Sequence, residues 1–205
     1  MVELSPAVAT QPERAVALRP ADETWDDGPA VRRAARGRRI ERDLVELSRL
    51  QGGGERVTSE AIDLARLVRG ICAHYPKVEI AGVDTFPLSI DSRRLARVLM
   101  LLLDNACLHG APPVTVGYDA YGIAVADRGP GLDPRLLAHA TEPFVAGRGA
   151  RGRGVGLGLA IAAHQAALLG AELQVCNAVD GGAVARLRFD AGTSAGAWAP
   201  PRLTL

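Results

Sequence analysis

The segment Gly147 to Leu159, Gly-Arg-Gly-Ala-Arg-Gly-Arg-Gly-Val-Gly-Leu-Gly-Leu, carries six of the chain's 23 glycines and runs straight into Ala160-Ile161-Ala162-Ala163-His164. So few Cβ atoms let backbone N–H groups close on an anion, and a helix beginning near Leu157 would aim the positive end of its dipole at that anion. The pattern predicts a phosphate-binding loop leading into a helix. Spacing narrows the kind. There is no Gly-Lys-Ser/Thr, so a P-loop would lack its lysine and its Mg²⁺-binding hydroxyl. Gly147-x-Gly149-x-x-Gly152 matches a dinucleotide fingerprint, with Glu172 near the place of its acidic partner, yet it neither follows an apolar strand nor opens a helix. A flexible linker is the remaining alternative. Against it, Ser and Thr are absent, and the last glycines alternate with Val155, Leu157 and Leu159, which can pack.

A chain of 205 residues has room for one domain of about 140 residues plus extensions. The net charge of +1 gives no global field for nucleic acid, so no such partner is expected. Cys72, Cys107 and Cys176 are an odd number in apolar surroundings, without metal spacing, and read as reduced core thiols of a cytoplasmic protein. No signal peptide opens the chain and the longest apolar run is Val98 to Leu103, so no membrane segment is expected.

Residues 1–30 are rich in Pro, Ala and acidic groups without apolar periodicity and are expected to be disordered, apart from a contact by Trp25. Residues 31–53 differ. Ile40, Leu44, Leu47 and Gln51 follow a helical stripe from about Arg38, and Gly52-Gly53-Gly54 ends it. Its arginines suit either a nucleic-acid or membrane surface or, interleaved with Glu41, Asp43 and Glu46, the solvated side of a helix that pairs with a partner. A short strand is expected over Glu55 to Ala61, then a helix from Asp63 and strands at Val78 to Ile80 and Leu88 to Ile90. Asp91 or Ser92 caps a helix that runs to Leu108 or His109. It is apolar almost all round, and Asn105 within it either bonds nearby backbone or faces a ligand. Val114 to Tyr118 and Gly122 to Ala126 form a hairpin whose second strand enters Asp127-Arg128-Gly129-Pro130-Gly131-Leu132. That is either a plain turn or a carboxylate set to accept from a ligand amine. A helix through Leu157, Ile161, His164 and Leu168 precedes a hairpin of Ala171 to Cys176 with Ala183 to Phe189. Residues 192–205 form a flexible tail.

In this order the pieces resemble the ATP-binding catalytic domain of two-component sensor histidine kinases, within the superfamily of gyrase, Hsp90 and MutL, over about Val57 to Asp190. Leu102-Leu103-Asp104-Asn105-Ala106 is similar to the N box, Asp127 to Leu132 to the first glycine box, Glu142-Pro143-Phe144 to the F box, and Gly154 to Ile161 to the second glycine box. The resemblance implies an α/β two-layer sandwich of the Bergerat type with a mixed sheet over residues 54–191, preceded by a helix. ATP and Mg²⁺ are the implied cofactors. Asn105 would hold Mg²⁺, Asp127 would accept from the adenine amine, and His109 takes the place of a ring near adenine. Gly129, Gly131, Leu132 and Phe144 would also bind the nucleotide, while Gly154, Val155, Gly156, Leu157 and Gly158 would give N–H groups to the phosphates. Phe144 to Arg153 would form a mobile lid with Arg148 within reach of phosphate.

Leu101, Leu108 and Ala146 stand where the family usually has a polar residue, a lysine and an arginine. No histidine precedes His74, so the chain reads as the kinase half of a split or truncated sensor kinase that phosphorylates a histidine on a partner. That partner would be a phosphoacceptor-domain protein or sensor kinase subunit, with a response regulator reached indirectly and a homodimer through residues 38–51 as another use of the helix. The alternatives are a nucleotide-binding regulatory module without phosphotransfer and a relative of anti-sigma-factor serine kinases.

Overall fold

The computed structural model describes residues 29–119, 121–145 and 155–189, with side chains from Gly37 onward. Trp25 and the tail 192–205 lie outside them. Helix α1 (Pro29–Gly52) leads into β1 (Glu60–Asp63), α2 (Leu64–Cys72), β2 (Val78–Ala81), β3 (Pro87–Ile90) and α3 (Ser92–His109). Then come β4 (Val114–Asp119), β5 (Gly122–Ala126), the single-turn α4 (Pro134–Leu137), α5 (Gly158–Leu168), β6 (Ala171–Asn177) and β7 (Ala183–Phe189).

One layer is a mixed five-stranded sheet in the order β2-β4-β5-β7-β6, parallel only between β2 and β4; β1 and β3 pair separately. Period-2 alternation puts Val116, Val125, Ala185 and Val175 in one cross-strand row and Tyr118, Ile123, Leu187 and Leu173 in the next. Helices α3 and α5 pack on one another, and α3 meets β4 and β5. Leu95, Val98, Leu99, Leu102, Leu103 and Ile161 are buried at that seam, each burial of a large side chain contributing about 1.5–3 kcal/mol. The Asp91 carboxylate caps α3 by accepting from Arg94 N at 3.1 Å.

Three expectations change. The strand expected over Glu55 to Ala61 is Glu60–Asp63 instead, because side chains hold the preceding stretch out of any ladder. Arg94 binds Glu55 at 2.7 Å and the Arg56 carbonyl at 3.0 Å, and Thr58 N donates to Asp91 at 3.0 Å. Helix α1 begins at Pro29, and its stripe is split. Leu47 and Leu50 turn into the body against the core, whereas Leu44 is 43% and Val45 46% exposed. Polar contacts set that rotation: Arg97 of α3 donates to Asp43 at 3.0 Å and Glu46 at 2.6 Å, and Gln165 of α5 donates to Glu46 at 2.9 Å.

The third concerns the thiols. Cys72 is buried and Cys176 half-buried, but Cys107 is exposed on α3. Burial pushes the Cys72 thiol up to about 11. At pH 8 an alkylating reagent is expected to modify Cys107 first and Cys72 only after denaturant is added, as read by peptide mass spectrometry.

Candidate functional site

Asp127 follows the last residue of β5 and is 7% exposed. Its backbone N–H extends the sheet to the Ala183 carbonyl at 3.0 Å, and its Oδ1 accepts from Gly129 N at 2.7 Å. Among the described residues no hydrogen bond reaches Oδ2. The carboxylate rests against the C-cap of α3. A Cβ on Gly110 would lie 2.5 Å from Asp127 Oδ1, and one on Gly129 would lie 2.6 Å from the Gly110 Cα. Arg128 N donates to the Ala111 carbonyl at 2.8 Å, which ties the turn to the end of that helix. Gly131 has φ +71, a conformation glycine adopts freely, and Leu132 follows half-buried.

Helical spacing places Leu101, Asn105 and His109 on one stripe of α3, about 12 Å long, with Asp127 at its C-terminal end. Asn105 and His109 are half-buried, and no described residue hydrogen-bonds the Asn105 amide. At the other end Leu101 is 2% exposed, and a Cβ on Gly158, the first residue of α5, would lie 4.0 Å from its Cδ2. Leu157 is buried as the N-cap of α5, and Val155 is half-buried. Phe144 has φ +66, is 65% exposed, and donates its N–H to the Gly156 carbonyl at 2.9 Å, so the chain closes on itself where it leaves and re-enters. Residues 146–154, with Arg148 and Gly154 and most of the expected lid, lie outside the described residues.

One stripe of α3 thus joins both glycine groups. The residue before Asn105 is also tied to α1: Asp104 accepts from Tyr75 Oη at 3.0 Å and pairs with Arg39 at 3.0 Å. Sequence reasoning missed Gly110, seen only as a helix stop, and Asn177, whose amide bonds both backbone groups of Leu132. No local pattern marks either one, since their roles arise from segments brought together by the fold. Among the described residues no three His, Cys, Asp or Glu side chains cluster as a metal site, and no helix is long and apolar enough to cross a membrane.

A family model described as histidine kinase-, DNA gyrase B-, and HSP90-like ATPase matches residues 90–193, from the end of β3 past β7. Sensor protein CseC of Streptomyces coelicolor is 41% identical over 170 residues, covering 82% of this chain and 33% of CseC. Sensor histidine kinase component HK1 of Mycobacterium tuberculosis is 40% identical over 112 residues, 52% of this chain and 66% of that protein. The crystal structure of full-length ShkA in complex with AMPPNP aligns with a TM-score of 0.66 at 25% identity, over 78% of this chain and 37% of that one. The chain therefore spans about a third of the length of CseC. With more than half its residues inside the matched region and its sheet and helices laid out as above, the chain belongs to the histidine kinase-, DNA gyrase B- and HSP90-like ATPase family, as an ATP-binding catalytic domain of the histidine kinase type.

Proposed function

We propose that this chain is the kinase unit of a two-component system and transfers the γ-phosphoryl group of ATP to a histidine on a helical hairpin outside these 205 residues. One observation carries the nucleotide reading: a buried carboxylate with one oxygen held by Gly129 N–H and the other without a hydrogen bond among the described residues, in a cradle that a Cβ at Gly110 or Gly129 would fill. Such an acceptor suits the adenine amine. Glycines at residues 154–158 and the start of α5 would give N–H groups and a positive helix end to the phosphates. Asn105, whose amide no described residue hydrogen-bonds, lies on the connecting stripe and fits as the protein ligand to Mg²⁺, the other ligands coming from phosphate and water. Bound there, the ion would neutralise phosphate charge.

An acceptor outside these 205 residues, whether on a further segment of the same polypeptide or on a partner, is supported by where their histidines lie. His74, His109, His139 and His164 all belong to the body and none lies on α1. The name of the Mycobacterium tuberculosis relative, a component, favours a partner. The exposed Leu44 and Val45 give α1 an apolar face for the partner hairpin.

A module that binds ATP without transfer is favoured by one feature, the buried Leu101 where a polar side chain would assist the metal. Incubation with γ-labelled ATP and Mg²⁺ separates the readings. The 205-residue protein alone is expected to take up no acid-labile, base-stable label. A phosphoacceptor hairpin added to it becomes labelled on histidine, and Leu44→Glu with Val45→Glu reduces that labelling. Histidine label on this chain alone, or an unlabelled hairpin despite tight ATP binding, would overturn the transfer reading.

A further inference from the structure

Asn177 ends β6, on the mouth of the β6–β7 hairpin that the Asp127 turn packs against. Its Nδ2 donates to the Leu132 carbonyl at 2.8 Å, and its Oδ1 accepts from Leu132 N at 2.7 Å. A primary amide is the one side-chain group that donates and accepts side by side without charge, so a single residue satisfies both backbone groups of a segment that has no ladder of its own. The neighbouring turn is closed tightly on it. A Cβ on Gly131 would lie 2.7 Å from Asn177 Oδ1 and 3.1 Å from the Gly182 carbonyl. At its other end the same turn holds Gly129 N–H on the Asp127 carboxylate. Between the Gly129 and Leu132 anchors lie only Pro130 and Gly131, and the glycines on either side of Pro130 offer little conformational resistance if the Leu132 anchor is lost.

We propose that Asn177 is a positioning residue for the nucleotide base: by clamping Leu132 it fixes the glycine turn, and through Gly129 N–H it keeps the Asp127 carboxylate rotated so that its second oxygen faces an exocyclic amine. The inference rests on the ATP-site reading above. Its consequence is selectivity. Adenine presents an amine where guanine presents an oxo group, so a fixed carboxylate accepts the first and repels the second. Loosening the turn lets the carboxylate swing and narrows the difference.

The test is the affinity of the full 205-residue protein for ATP and for GTP, measured by calorimetry for the parent, Asn177→Ala and Asn177→Asp. Asn177→Asp keeps the volume and the acceptor to Leu132 N–H but sets an oxygen against the Leu132 carbonyl, so it carries the test if the alanine variant fails to fold. Losing both hydrogen bonds in Asn177→Ala, or one of them with an oxygen set against the Leu132 carbonyl in Asn177→Asp, predicts ATP binding weaker by about tenfold, with GTP binding changed by much less. In free protein the Leu132 amide proton is also expected to exchange faster, by nuclear magnetic resonance. ATP affinity equal to that of the parent would overturn the inference, and so would equal losses for ATP and GTP, which mark a general structural role. A parent that binds no ATP would instead defeat the site assignment itself.

Discussion

Asp127→Asn is expected to weaken ATP binding on the order of 100-fold while the protein keeps its fold, because the two carboxylate oxygens do different work. Oδ1 holds Gly129 N–H at 2.7 Å, and an asparagine carbonyl oxygen can take over that bond. The amide nitrogen then falls where Oδ2 stood, so that a donor faces the adenine amine. Two N–H groups meet in a site that is 7% exposed, where neither finds water easily, and the loss is the cost of leaving both unmet. Turning the amide over does not help, since it would then oppose Gly129 N–H. Calorimetry with ATP, beside a thermal melt, checks this; parent-like affinity in a folded variant contradicts the role given to Asp127.

Gly110→Ala is expected to cost stability and nucleotide binding together. The backbone there, φ −87 and ψ −159, suits alanine, so conformational entropy alone would favour the change by about 0.4–1 kcal/mol. Space decides otherwise. The new methyl would lie 2.5 Å from Asp127 Oδ1 and 2.6 Å from the Ala106 carbonyl, and one of these is helix backbone. Either the carboxylate rotates away or the last turn of α3 opens, for a net loss of about 1–3 kcal/mol. Gly70→Ala is the control: it lies in α2 with nothing within 4 Å of the added carbon, and is expected to stabilise by about 0.5–1 kcal/mol. Thermal melts of both variants, with ATP titration of Gly110→Ala, give the comparison; an unaltered melt and affinity for Gly110→Ala would refute the packing argument.

Helix α3, the β4–β5 hairpin and the β6–β7 hairpin were legible in the sequence because caps, glycines and period-2 alternation are local signals. The residues from Glu55 to Thr58 were not, since the groups that hold them, Asp91 and Arg94, lie more than thirty positions away. The facing of α1 was half legible. The stripe Ile40, Leu44, Leu47 gives the helix, but Arg97 and Gln165 decide which side it lays down, and neither belongs to the helix. In the site, Asn105 stood out as a polar residue in an apolar helix and Asp127 as a carboxylate at a strand's end before two glycines, and the resemblance supplied their roles. Gly110 and Asn177 did not, because a glycine closing a helix and an asparagine ending a strand have ordinary local explanations.

Glycines 52–54 join α1 to the body, and a Cβ at any of them would meet nothing within 4 Å. A short flexible tether of this kind holds the helix near its docking surface at an effective concentration on the order of millimolar. A contact with an intrinsic dissociation constant of about 0.1 mM, too weak to pair separate molecules at cellular levels, would then be closed about nine-tenths of the time. The contact that closes combines the burial of Leu47 and Leu50 with the ion pairs of Arg97 with Asp43 and Glu46 and of Arg39 with Asp104. A tenfold loosening, about 1.4 kcal/mol, lowers the closed share to about half. For a contact of that strength, a small strain arriving along α1 would change how long Arg39 rests on Asp104, beside Asn105.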